Sequence, residues 1–93
     1  MGTRREFESV KEALQNEEFL RDCNIIIAEG PNFSLAAFWS WYYGEVFRVV
    51  INCSGKEQRK DMTKREVLEF LSQHEKEIKK ISISNPFSRF ERS

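Results

Sequence analysis

The chain has 93 residues, 40% hydrophobic and 13% aromatic, with 32% charged residues that sum to zero net charge. That composition describes one globular domain able to bury a core, and it excludes a disordered tail. It also removes the strong electrostatic argument for nucleic acid or an anionic membrane. The balance is uneven along the chain: residues 1–45 carry four Lys/Arg against eight Asp/Glu, and residues 46–93 carry eleven against seven.

Thr3 to Gln15 reads as an amphipathic helix, with Phe7, Val10 and Leu14 on one side and Arg4, Arg5, Glu8, Lys11 and Glu12 on the other. Asn16 before Glu17 and Glu18 resembles a new N-cap. It predicts a kink or a short second helix burying Phe19 and Leu20, with one unbroken helix to Asp22 as the alternative. Asn24 to Glu29 reads as a strand, and Gly30-Pro31-Asn32 as the turn that ends it. Ile25, Ile26 and Ile27 put bulk on both faces, which predicts a central strand covered on both sides.

Ala36 to Cys53 is the stretch any core must accommodate, since it holds both tryptophans, both tyrosines and the densest β-branched run. A second strand from Phe33 or Ser34 to Tyr43 and a third from Val46 to Cys53 are predicted, joined by a two-residue turn at Gly44-Glu45. That turn pairs Tyr43 with Val46, Trp41 with Arg48 and Trp39 with Val50. Phe38, Tyr42, Phe47, Val49 and Ile51 then form a core face. Trp39, Trp41 and Tyr43 share the other face with Arg48.

Ser54 to Asp61 reads as a polar loop. Thr63 with Glu66 forms a capping box, flanked by Met62 and Val67 as its hydrophobic staple. The helix that follows is predicted to bury Val67, Phe70, Leu71, His74 and Ile78 and to end on Lys79 and Lys80. Ile81 to Ser84 alternates as a short fourth strand stopped by Asn85-Pro86. Placed beside the third strand, it would make the helix a right-handed crossover. The expected fold is α+β, of order αβββα(β). It is a mainly antiparallel three-stranded sheet with two helices and a short fourth strand, one domain over residues 1–85 and a tail over 86–93 in which Phe87 and Phe90 are the docking residues.

Little in the chain suggests chemistry. His74 is the lone histidine and sits on the apolar stripe, the two cysteines are far apart in sequence, and the glycines are isolated turn residues. No metal-ligand spacing, phosphate loop or nucleophile elbow occurs, so neither catalysis nor a cofactor or metal is expected. The expected order is similar to that of restriction-endonuclease-like nucleases, which hold Mg²⁺ with an acid on the second strand and an acid-x-lysine pair on the third. Here those places carry Asn32, and Ile51, Asn52, Cys53 and Ser54 before Lys56, so such a site would be degenerate. The order is also similar to that of double-stranded-RNA-binding domains. Their basic second-helix start corresponds to Lys56, Arg59, Lys60, Lys64 and Arg65, which that resemblance makes phosphate contacts.

The expected function is therefore a non-catalytic protein-binding module: a subunit, an adaptor or a small inhibitor. Trp39, Trp41, Tyr43 and Arg48 are its contact face, toward another protein or a second copy. Nucleic-acid binding through residues 56–65 is the alternative. No leader and no apolar run of the ~18 residues a membrane span needs is read. With Cys23 and Cys53 as buried free thiols, a cytoplasmic or nuclear, reducing setting is expected, without membrane association.

Overall fold

The computed structural model describes residues 3–40 and 46–85. The element order is β1 (Thr3–Phe7), α1 (Val10–Leu14), α2 (Glu17–Arg21), β2 (Ile25–Gly30), β3 (Phe33–Ser40), β4 (Val46–Cys53), β5 (Lys56–Thr63), α3 (Lys64–Gln73), a 3-10 turn at Glu75–Glu77, and β6 (Lys80–Asn85). All six strands form one sheet of order β1-β6-β2-β3-β4-β5 in which every neighbouring pair is antiparallel. The class is α+β, but the expected three-stranded sheet is overturned: strand accounts for 53% of the described residues.

Two strands account for most of the difference, and both lie at sheet edges. Thr3–Phe7 is β1 rather than the start of a helix, because an edge strand needs few inward residues and Phe7 supplies the buried one, against Ile81. The helix begins only at Val10, after Ser9 caps it by accepting a hydrogen bond from the Glu12 amide at 3.1 Å. Residues 56–61, expected within a loop, belong to β5, which runs on through Thr63. Its lysines, arginine and acids are exposed, and only Met62 is buried. Ser54 and Gly55 make the turn into it with φ of 52° and 86°, a two-residue hairpin with both central residues left-handed.

The register between β3 and β4 also differs. Phe38 lies opposite Arg48, Trp39 opposite Phe47 and Ser40 opposite Val46, so five residues, 41–45, separate the paired ends. A two-residue turn at Gly44-Glu45 would shift every partner by three, and an odd shift carries one strand's side chains to the other face. The expected faces of β4 stand, while those of β3 are exchanged: Leu35 and Ala37 are buried and Phe38 is exposed.

Among the described residues the helices cover one face of the sheet. Val10, Ala13, Leu20, Val67 and Leu71 share a single core with Phe7, Ile26, Ala28, Leu35, Ala37, Phe47, Val49, Ile51, Ile81 and Ile83. By strand alternation those sheet residues all point the same way. The thinnest dimension, 18 Å, accommodates one sheet and one helix layer. Of the three isoleucines in β2, only Ile26 is fully buried. Ile25 and Ile27 face away from the helices and are half-buried.

The second half keeps its cap and changes its ending. The Glu66 amide donates to Thr63 Oγ1 at 3.2 Å, and the Thr63 amide donates to Glu66 Oε1 at 2.8 Å. The helix α3 stops at Gln73, so Ile78 is buried from an extended segment and Lys80 belongs to β6. Strand β6 lies between β1 and β2, not beside β4, and is antiparallel to both, so the expected neighbouring crossover is not formed. Where the chain passes from the 3-10 turn into β6 it crosses the end of β2 closely. The Lys79 amide donates to the Glu29 carbonyl at 2.8 Å, and a Cβ on Gly30 would lie 1.8 Å from the Glu77 carbonyl oxygen.

Both cysteines are expected to be buried, but Cys53, at the end of β4 beside the Ser54-Gly55 turn, is not. Cys53 is exposed and Cys23 is buried, both as free thiols. Burial pushes the Cys23 thiol up from its ordinary 9.0, and the Lys64 charge offsets this only in part. The native chain thus holds the proton to higher pH than the unfolded one. Stability from this group is intact below the unfolded pKa and is lost as pH climbs from there through the native value. In a disulfide-exchange assay at neutral pH, one thiol should react at once and the second only at the rate of opening. Equal, rapid reaction of both would contradict the burial of Cys23.

Candidate protein-binding face

The sheet surface opposite the helices is ordered in rows by the strand pairing. One row runs Arg4, Ser84, Ile25, Phe38, Arg48, Asp61, and the next runs Glu6, Ser82, Ile27, Ala36, Val50, Arg59. Apolar residues occupy the middle of both rows and charges their ends. Phe38 stands at the centre with 44% of its surface exposed, the exposed large hydrophobic among the described residues. Isolated exposed apolar residues are ordinary, but a contiguous patch with a polar rim marks an interaction surface. Beside Phe38 lies a shallow depression of about 580 Å³, lined on this face by Arg48, Val50, Arg59 and Asp61.

The rim carries both signs of charge. Arg4 pairs with Glu6 at 3.1 Å and donates to Ser82 Oγ at 3.3 Å, Lys80 approaches Glu6 at 3.4 Å, and Arg59 pairs with Glu57 at 2.9 Å. Of these five charged side chains four are half or more exposed and Glu57 is 49% exposed, so these pairs orient the rim more than they stabilise the fold.

The residues expected to bind are distributed differently. Arg48 is on this open face, next to Phe38 rather than Trp41. Trp39 turns to the helix side, where its ring meets Phe47 edge-on at 5.4 Å, and it is half-buried against the core. Trp41 and Tyr43, like Tyr42, the Gly44-Glu45 turn and the Phe87 and Phe90 tail, lie outside the described residues. The signal that would have found Phe38 is the company it keeps in its own strand. Ser34, Ala36 and Ser40 share its face, whereas Phe33 and Leu35 share the other.

The basic residues do not converge. Arg59 points to the open face between Glu57 and Asp61, while Lys56 and Lys60 alternate to the helix side. Lys60 Nζ lies 6.0 Å from the centre of the Phe70 ring, Lys64 donates to the Arg21 carbonyl, and Arg65 is exposed on α3. His74 is stacked at 5.1 Å on Phe33 and 4.3 Å from Phe70, and its Nδ1 is 3.4 Å from Glu77 Oε2. It serves as an aromatic member of that cluster. Among the described residues no group of three or more His, Cys, Asp or Glu is placed to hold a metal ion, and no helix is long and apolar enough to cross a membrane.

No protein-family model matches the chain, and no curated protein or solved structure matches it significantly. The geometry of the face is therefore the basis for a functional reading.

Proposed function

We propose that this chain is a non-catalytic protein-binding module, a subunit, adaptor or small regulator, that engages its partner with the helix-free face of its sheet. The observation that carries the reading is Phe38, exposed in the middle of an apolar strip formed with Ile25, Ile27, Ala36 and Val50 while the helices lie on the other side. Covering such a strip stabilises a complex by about 25 cal/mol per Å² of apolar surface removed from water. An aromatic anchor next to an arginine is the composition of a binding hot spot. Two free thiols, one of them exposed, suit a reducing intracellular setting.

The test is affinity capture with wild-type and Phe38→Glu baits, after thermal melts establish that both fold. A protein retained by the wild type, a second copy included, should be lost or weakened about tenfold or more with the variant. Equal retention by the two baits overturns the reading. So does salt-dependent binding of a single-stranded oligonucleotide that Phe38→Glu abolishes, which would reassign the face to nucleic acid.

A further inference from the structure

We infer that the occupant of this face is a second copy of the same chain, seated by a two-fold axis that runs parallel to the strands between β2 and β3. This rests on the reading of the face as a protein-binding surface and names the partner.

The two rows are self-complementary. Such an axis turns each row end for end onto its own copy. In the first row Arg4 falls over Asp61 of the other copy, Ser84 over Arg48, and Ile25 over Phe38. In the second, Glu6 falls over Arg59, Ser82 over Val50, and Ile27 over Ala36. Each end charge meets its opposite, and apolar residues meet in the middle. The next row is polar throughout, with Glu29 over Ser34 and Lys80 over Asn52, and brings no like charges together. Symmetric dimers require such a patch, in which residue i meets j and j meets i.

A two-fold across the strands also matches charges, but it lays Arg48 on Val50 and Phe38 on Ala36. That leaves a guanidinium against methyl groups and reduces the burial of the ring, so the axis along the strands is favoured. Two sheets packed face to face lie about 10 Å apart with strand directions within about 30°, which the long rim side chains can span. Six strands at about 4.8 Å, with β3 and β4 eight residues long at about 3.3 Å each, give a face on the order of 600–700 Å². That is slightly below the ~800 Å² per partner of a standard interface.

The experiment is sedimentation analysis of the full chain, with circular dichroism to establish that each variant folds. Wild type should have twice the 11.1 kDa chain mass, and Phe38→Glu should be monomeric. Arg4→Glu and Asp61→Arg should each weaken the dimer about tenfold or more by placing like charges together. The double variant should regain most of the loss, because the exchanged charges again face their opposites. A wild type that stays monomeric at about 1 mM overturns this inference while leaving the face open to another protein. A dimer unaffected by Phe38→Glu overturns both the inference and the assignment of the face. Single variants without effect, or a double variant without recovery, overturn the two-fold.

Discussion

Phe47→Ala should lower the unfolding free energy by about 3–5 kcal/mol, the range for removing a buried aromatic ring, whereas Phe38→Ala should cost less than ~1 kcal/mol at dilutions that prevent association. The two residues are one strand apart in the same sheet and differ only in the face they take. Phe47 is fully buried, with the Trp39 ring against it, while Phe38 is 44% exposed. Urea midpoints for the two variants check the register directly. If Phe38→Ala were the more damaging, the β3 faces would be those of the two-residue turn.

Gly30→Ala should destabilise the domain by about 1–3 kcal/mol or more, although alanine ordinarily favours folding over glycine. The added carbon has no room, since the atom it meets is the backbone carbonyl of Glu77, and neighbouring Glu29 is tied to Lys79 by a backbone hydrogen bond. Relief requires the segment before β6 to lift from the end of β2. The same thermal melt on Gly55→Ala separates this effect from a general glycine effect: space around Gly55 is open, and only its φ of 86° is disfavoured for alanine. A neutral Gly30→Ala would refute the close crossing.

The cap of α3 and the buried face of β4 are legible in the sequence for physical reasons. The capping box uses residues three apart, so its partners are adjacent in the chain, and both hydrogen bonds form as read. The alternation of Phe47, Val49 and Ile51 also assigns β4 correctly. The edge strands are less visible because their stabilisation comes from one neighbouring strand and their side chains meet water. Thr3–Phe7 and Lys56–Thr63 thus show charge where a central strand shows isoleucine. The Ser54-Gly55 pair was the available cue for the second of them. A two-residue turn at Gly44-Glu45 would place Phe38 inward and Trp39 outward together, so the β3–β4 register alone decides which of them the open face carries. Nothing local indicates that β6 inserts between β1 and β2, because that pairing joins residues separated by most of the chain.

That insertion determines how the domain can assemble in time. The β2–β5 meander closes through short connections and can form while the chain is still emerging from the ribosome. Its β2 edge, carrying three isoleucines, stays unpaired until β6 has been synthesised, and β1 has no strand partner before then either. Closing so long a loop is slow, and an apolar edge that waits is open to pairing with another chain. The interval between completion of β5 and arrival of β6 is therefore the period in which a nascent copy is most exposed to aggregation.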